Sequence, residues 1–181
     1  MTRRLVLLSM GLILLLAACT RSTPTPLPLS TDALSETAAR AYESRDWGRA
    51  AQLYRELTRR EPDQAEWWIR LGWSLRGVRA YEEALQAYAQ ADRLDPQAFW
   101  SAYGEALTYA DMKAWHRALE AFDRALTIDP HRLVVHQQRA LLYIQLKQYD
   151  AAADAVLKGL YYFPESQELW SLWQAIRERR Y

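Results

Sequence analysis

The chain has 181 residues, with 23 lysines and arginines against 22 aspartates and glutamates, so its formal net charge is +1. Such a balance disfavours a protein that follows nucleic-acid phosphates with a basic surface, and we expect no nucleic-acid partner. Half of the residues are hydrophobic and only one is a cysteine, so the chain can bury a core but cannot form an internal disulfide.

The first eighteen residues are typical of a secretory signal. Arg3 and Arg4 precede an apolar run over 5–18, which is short for a membrane span. The run ends in Leu-Ala-Ala-Cys, which resembles the bacterial lipoprotein box, and the resemblance implies cleavage before Cys19 and a diacylated thioether on it. We therefore predict a lipoprotein signal peptide over 1–18. The alternative is an ordinary signal peptide or an uncleaved anchor with an incidental cysteine.

A short tether follows the lipidation site. Residues 19–30 contain Pro24, Pro26 and Pro28, and at about 3.1 Å per residue a polyproline II segment holds the next domain roughly 35 Å from the bilayer. Two acyl chains anchor firmly, so we expect a membrane-bound protein that faces away from the cytoplasm. Thr20 directly follows the predicted lipidation site, at the position where an aspartate would resemble an inner-membrane retention signal. This favours the outer membrane if the organism has one, and otherwise the cell membrane.

Four prolines recur at intervals of 34 residues, and a fixed period of this length predicts an array of one repeated unit. They are Pro62, Pro96, Pro130 and Pro164. Columns of small and of aromatic or large apolar residues recur at the same period. These columns are Ala38, Gly72, Ala106, Ala140; Trp47, Tyr81, Trp115, Tyr149; Ala50, Ala84, Ala118, Ala152; and Tyr54, Tyr88, Phe122, Val156.

The columns resemble the tetratricopeptide repeat family, and together with the lipoprotein box the chain resembles a bacterial lipoprotein built from these repeats. The resemblance implies an all-α, right-handed superhelical solenoid of four helix-turn-helix units. These units are 31–64, 65–98, 99–132 and 133–166. The apolar periodicity independently predicts helix pairs, such as 65–78 and 81–94. Because proline disfavours α geometry in the preceding residue, second helices should end at Glu61, Asp95, Asp129 and Phe163.

The turn inside each unit departs from the family pattern, in which glycine is frequent. The corresponding column is Arg45, Arg79, Lys113 and Lys147. We expect these cations to stabilise the helix end that precedes them through its exposed carbonyls and the helix dipole.

Residues 167–181 should cap the last unit, because a solenoid otherwise exposes its final apolar face. A helical stripe is expected over Glu165–Arg179; it consists of Leu169, Trp170, Trp173 and Ile176. We interpret its tryptophans as packing against the fourth unit, the alternative being a second partner-binding face.

No catalytic or metal-binding constellation is evident. His116, His131 and His136 show no i, i+4 spacing on a helix, and glycine-rich phosphate loops and serine elbows are missing. We predict no enzyme activity, no cofactor and no metal.

The resemblance implies that the concave surface, lined by the first helix of each unit, holds a peptide or a partner helix. The expected inward residues are Tyr42, Ile69, Arg70, Trp73, Arg76, Trp100, Tyr103, Leu107, Gln138, Leu141 and Ile144, with Leu172 at the end. Aromatic residues and arginine dominate binding hot spots, so the centre is predicted at Trp73, Trp100, Tyr103 and Leu107. Arg70 and Arg76 are expected to hold a carboxylate or carbonyls. The alternative is that several of these residues pack one unit against the next.

We therefore predict a noncatalytic, lipid-anchored adaptor, by default a monomer, that binds a protein partner and supports assembly of an envelope complex. The family's clamp for chaperone tails is not expected, because its polar positions are Ser35 and Ala39 here. The competing class is a glycan- or small-ligand-binding envelope protein, or an accessory subunit of a cell-wall enzyme. A glycosidase would need two carboxylates at the groove centre, which the predicted lining does not contain.

Overall fold

A computed structural model describes residues 30–178. The predicted signal peptide, Cys19, the tether up to residue 29 and residues 179–181 of the predicted cap lie outside this range. Within it the secondary structure is entirely helical. The helices are α1 (Thr31–Glu43), α2 (Trp47–Arg60), α3 (Ala65–Gly77), α4 (Tyr81–Leu94), α5 (Phe99–Asp111), α6 (Trp115–Ile128), α7 (Leu133–Gln145), α8 (Tyr149–Tyr162) and α9 (Gln167–Glu178).

The helix ends follow from the prolines. The second helix of every unit stops so that its C-cap is the residue before proline, as predicted; these caps are Glu61, Asp95, Asp129 and Phe163. The predicted limits are less accurate where no proline stands. Val78 is the C-cap of α3 rather than its last residue. Helix α9 begins two residues after Glu165, because the Ser166 hydroxyl accepts a hydrogen bond from Leu169 N at 3.3 Å and so caps the first turn.

The helices form successive pairs, α1 with α2 through α7 with α8, and each pair packs against the next to give a solenoid that α9 covers at one end. The alanine column is fully buried where paired helices approach, and the large residues four positions later fill the adjoining layer. The first helices α3 and α5 also touch one another, so these two helices share one inner surface.

Tyr88 shows how tightly the units are packed. Its buried ring lies between α3, α4 and α5, against two glycines. A Cβ atom on Gly72 would lie 2.5 Å from Cε1 of this ring, and one on Gly104 would lie 2.6 Å from Cζ. Only glycine allows this approach, so the two glycines are required by packing rather than by backbone conformation.

The turn inside each unit is closed by backbone hydrogen bonds, and stabilisation of the helix end by the side-chain cations stays a prediction. The four turn residues have left-handed φ angles: Arg45 60°, Arg79 62°, Lys113 59° and Lys147 58°. In the second unit Arg79 N donates to Arg76 O and the next amide donates to Leu75 O, both at 2.9 Å, and the other three units repeat this pattern. This is the Schellman arrangement, in which glycine is favoured because its φ is free.

None of the helices in the described range combines the length and the apolar character that crossing a membrane requires.

Candidate partner-binding groove

An open pocket of about 300 Å³ lies on the inner surface of the first three units. Its lining is Tyr42, Glu66, Ile69, Arg70, Trp73 and Trp100. All six residues belong to the first helices α1, α3 and α5, and five of them were predicted to face inward. We call the surface formed by α1, α3, α5 and α7 the inner groove, and this cavity the Trp73 pocket.

Trp100 is the most accessible aromatic residue of the pocket, since half of its side chain (50%) is exposed. It is nevertheless held on several sides. The Trp73 ring is edge-on at 6.4 Å between centroids, the Phe99 ring lies at 5.1 Å, and the Arg132 guanidinium lies 5.5 Å from its centroid. An exposed side chain that is already fixed loses little conformational entropy when a partner binds.

Trp73 serves the pocket and the core together. Its Nε1–H donates to Trp100 O at 3.2 Å, and its ring lies 5.8 Å from that of Tyr103. The side chain is half-buried and packs against buried apolar clusters of the neighbouring units. Trp73 therefore supports the position of Trp100 as well as contributing surface.

Three predicted groove residues are buried. Tyr103 is 9% exposed and stacks on Phe99 with centroids 5.8 Å apart, and this burial raises the pKa of its phenol. Ile69 packs into the core beside α4, and Ile144 belongs to the core of the fourth unit. Tyr103 and Ile144 serve packing, and Ile69 combines packing with a place in the lining of the Trp73 pocket. Direct contact with a partner remains a prediction for each.

The two groove arginines already have carboxylate partners. Arg70 Nε lies 2.6 Å from a Glu66 carboxylate oxygen, and its guanidinium sits 5.2 Å from the Tyr42 ring centroid. Arg76 Nε lies 2.8 Å from Asp111 Oδ2, an ion pair without hydrogen-bond alignment, and its guanidinium lies 5.8 Å from the Trp73 ring centroid. Because each cation is balanced nearby, the middle of the groove is aromatic and close to neutral.

The groove continues towards the fourth unit with a thinner apolar lining. Leu107 is half-buried against the core of the third unit, whereas Leu141 and Gln138 are exposed on α7. Leu172 on α9 is half-buried against the core of the fourth unit. The exposed apolar surface is therefore concentrated around Trp100, with Leu141 as its extension.

Sequence reasoning missed the residues that fix Trp100. Phe99 is buried beside it, and Arg132 is the last residue of the third unit and the N-cap of α7, with its guanidinium 4.6 Å from the Phe99 ring centroid. Arg132 Nε also contacts Asp129 Oδ2 at 2.6 Å. Arg132 precedes α7 in the loop, so helical periodicity does not indicate where its side chain points.

Family comparison agrees with the repeat pattern. Two models, each described as "Tetratricopeptide repeat", match residues 36–99 and 109–176, which together make up most of the chain. This chain belongs to the tetratricopeptide repeat family. The predicted family and the all-α solenoid are thereby confirmed. Comparison with curated protein sequences gives no significant match.

Solved tetratricopeptide repeat structures resemble the chain in fold. A MamA crystal structure has a TM-score of 0.71 at 16% identity, covering 83% of this chain and 82% of MamA. A tetratricopeptide repeat protein from Parabacteroides merdae has a TM-score of 0.70 at 22% identity, covering 82% of this chain and 60% of its own. A third match is to the Naa15/Naa10 structure bound to HypK-THB, with a TM-score of 0.66 at 20% identity, covering 82% of this chain but 22% of that one. At these identities the similarity shows the fold alone.

The described residues hold no group of three histidine, cysteine, aspartate or glutamate side chains placed to bind a metal ion. Tetratricopeptide repeat proteins are in general noncatalytic scaffolds for protein–protein interaction.

Proposed function

We propose that this protein is a noncatalytic adaptor that binds an apolar segment of a partner protein, either an extended peptide or a helix, in the inner groove. Its repeat fold is typical of interaction scaffolds. The observation that carries the proposal is Trp100, half-exposed yet fixed by Trp73, Phe99 and Arg132. Rigid, partly exposed aromatic anchors of this kind provide most of the binding energy in protein interfaces.

The charges around the pocket indicate the chemistry of the partner segment. Arg70 and Arg76 are paired with Glu66 and Asp111, so a strongly charged segment has no excess of opposite charge to meet. A cavity of about 300 Å³ lies at the small end of ligand pockets and suits one or two partner side chains. We therefore assign apolar or aromatic side chains to the segment that enters it.

The proposal extends to membrane attachment. Lipid on Cys19 and the proline-containing tether would hold the repeats near a bilayer, facing away from the cytoplasm, on the cell membrane or on an outer membrane if one exists. Such an arrangement suits a monomeric factor that supports assembly of an envelope complex.

Attachment is tested with Cys19→Ser. We expect the variant to leave the membrane fraction once its signal is cleaved, because the two acyl chains are lost. A cleaved variant that still sediments with membranes would refute lipid anchoring without bearing on the groove.

Partner binding is tested with a photo-crosslinking amino acid at two matched positions. Leu141 (42% exposed) lies in the inner groove, and Leu157 (45% exposed) lies on α8 outside it. We expect a crosslinked protein from position 141 that disappears when Trp100→Ala is added, and no such product from position 157. Equal products from both positions, or a product insensitive to Trp100→Ala, would contradict the groove assignment.

The exposed Trp100 face also favours a second candidate, a glycan- or small-ligand-binding envelope protein or an accessory subunit of a cell-wall enzyme, because sugars stack on indole faces. Quenching of tryptophan fluorescence by soluble peptidoglycan fragments, lost in Trp100→Ala, would move the assignment to this class. The carboxylates near the pocket, Glu66 and Asp111, each contact an arginine rather than one another, so they do not favour glycosidase chemistry.

A further inference from the structure

A second pocket of about 490 Å³ opens on the outer side of the solenoid, between the third and fourth units. Helix α7 supplies its floor, and α6 and α8 supply its walls. The residues that give it chemical character are Leu126, His136, Arg139, Lys158, Tyr161 and Tyr162. It shares no residue with the Trp73 pocket.

The same cleft one unit earlier shows what is unusual here. There Arg124 contacts Glu105 and also Asp92, whose Oδ2 lies 2.9 Å from Arg124 Nη2. The residues 34 positions later are Lys158, Arg139 and Leu126. A cation between two carboxylates has thus become two cations beside a leucine, and both carboxylates of the earlier cluster are missing from these positions.

Arg139 is incompletely compensated. Its side chain is only 11% exposed, and its Nε lies 2.6 Å from Asp123 Oδ1 without the alignment of a hydrogen bond. Asp123 itself is half-exposed, and the remaining contact of the guanidinium is the Tyr143 ring, 5.4 Å from its centroid. A buried guanidinium is stable only with good hydrogen-bonding partners, so this one favours a further anionic acceptor.

His136 adds an acceptor beside this cation. It is 3% exposed, and its Nε2 lies 2.9 Å from Pro130 O, which can only accept, so Nε2 carries the hydrogen. Burial lowers the pKa of the ring, which keeps it neutral, and Nδ1 is then a buried lone pair with no partner among the described residues. His136 and Arg139 are three residues apart on α7 and therefore share one helix face.

We propose that this outer pocket binds a carboxylate that lies next to an amide N–H and an apolar side chain, as in an N-acyl amino acid or a peptide C-terminus. Arg139 and Lys158 hold the carboxylate, and His136 Nδ1 accepts the amide hydrogen. Tyr161 and Tyr162 cover the apolar side chain. The lining charges, with Asp123 included, sum to +1, which matches one carboxylate.

The first test compares N-acetyl-L-phenylalanine with its primary amide by calorimetry on the full chain in detergent. We expect the acid to bind at least about tenfold more tightly, because charge-assisted hydrogen bonds are lost with the amide. Lys158→Gln should weaken acid binding about tenfold, whereas Arg124→Gln in the neighbouring cleft should not. Equal affinity for acid and amide, or no binding of the acid up to about 10 mM, would overturn the proposal.

A second variant tests the comparison between the two clefts. Arg139→Glu places the acid of the earlier cleft opposite Lys158, so an internal ion pair should form and abolish acid binding. If Arg139→Glu does not fold, the test uses Lys158→Gln and Tyr161→Ser, which changes an exposed residue. Unchanged affinity of both variants for N-acetyl-L-phenylalanine contradicts the proposed site. A peptide ending in phenylalanine that binds more than about tenfold tighter than the N-acetyl acid identifies a peptide terminus, and equal affinity identifies a small acid.

Discussion

At the scale of single residues, the left-handed φ angles at the four turn positions lower the free energy of unfolding. Arginine or lysine occupies each of them, although a residue with a Cβ adopts this conformation at roughly 1–2 kcal/mol. The motif recurs in every unit because the backbone hydrogen bonds of the Schellman arrangement fix the angle whatever the side chain. We therefore expect the effect of these four turn residues on stability to depend on how easily each adopts a left-handed φ, more than on its charge.

Lys113→Gly should raise the free energy of unfolding by about 1 kcal/mol, since glycine relieves the left-handed strain. Lys113→Ala is the control, because it removes the charge but keeps the strain, and it should change stability little. Urea unfolding of the three proteins measures the difference. A glycine variant no more stable than the alanine variant would contradict the backbone strain, and an alanine variant clearly less stable than the wild type would show that the lysine side chain stabilises the turn.

A second residue-scale pattern stands six positions after the prolines. Ring N–H groups there point back to the proline carbonyl in three cases: Trp68 to Pro62 O at 2.8 Å, His136 to Pro130 O at 2.9 Å and Trp170 to Pro164 O at 2.8 Å. At the fourth position stands Ala102, which has no such donor. These bonds tie the start of a unit to the turn before it. At His136 the bond to Pro130 O favours the protonated ring, so it opposes the larger effect of burial on the pKa of this side chain.

Stability should decrease as the pH falls from 7.5 towards 5.5. Burial, with a smaller contribution from Arg139, lowers the pKa of folded His136 below its ordinary value of 6.5, so the unfolded chain binds more protons in this window. The stabilisation is present above pH 6.5 and is lost as the pH falls through the folded pKa. Thermal melts across this range should show a smaller slope for His136→Gln, which keeps an N–H donor. Identical slopes in both proteins would contradict a buried neutral histidine.

At the scale of elements, the approach of α3, α4 and α5 is limited by the Tyr88 ring. Gly104→Ala would place a methyl group 2.6 Å from Tyr88 Cζ, and the same fully buried ring is also in close approach to Gly72. Overpacking of this kind costs about 1–3 kcal/mol. Gly48→Ala is the matched control, since its Cβ meets nothing within 4 Å. In denaturant titrations Gly104→Ala should be less stable than Gly48→Ala, and the reverse order would contradict this packing.

The accuracy of the sequence-based predictions differs from one helix to another. Proline fixes local dihedral angles, so the ends of α2, α4, α6 and α8 could be predicted to the residue. The start of α9 could not, because it depends on the Ser166 cap rather than on periodicity. The period identified which helices line the groove, but it could not separate Trp100 at the surface from Tyr103 in the core, because both face the same side of α5. Phe99 stacks on Tyr103, whereas Arg132 reaches Trp100 only in the folded chain, and helical periodicity indicates neither contact.

At the scale of the whole molecule, substitution of Trp73 should mainly reduce stability, whereas substitution of Trp100 should mainly reduce partner binding. Trp73 packs against the core of neighbouring units, so Trp73→Ala should destabilise by about 2 kcal/mol or more. Trp100→Ala should lower the melting temperature clearly less than Trp73→Ala does, because half of Trp100 is already exposed. Calorimetric melts of both variants measure this. A large loss of stability in Trp100→Ala would place that residue in the core instead of at a binding surface.

Trp100 is the proposed anchor of partner binding, and one comparison tests this role most directly. Crosslinked complexes are recovered from cells that produce the wild type, Trp100→Ala or Trp170→Ala. The last variant removes a similarly exposed tryptophan (45%) from α9. We predict that a specific protein partner is recovered with the wild type and with Trp170→Ala, and that Trp100→Ala reduces its yield at least about tenfold. Equal recovery with Trp100→Ala, or loss only with Trp170→Ala, would contradict binding in the inner groove.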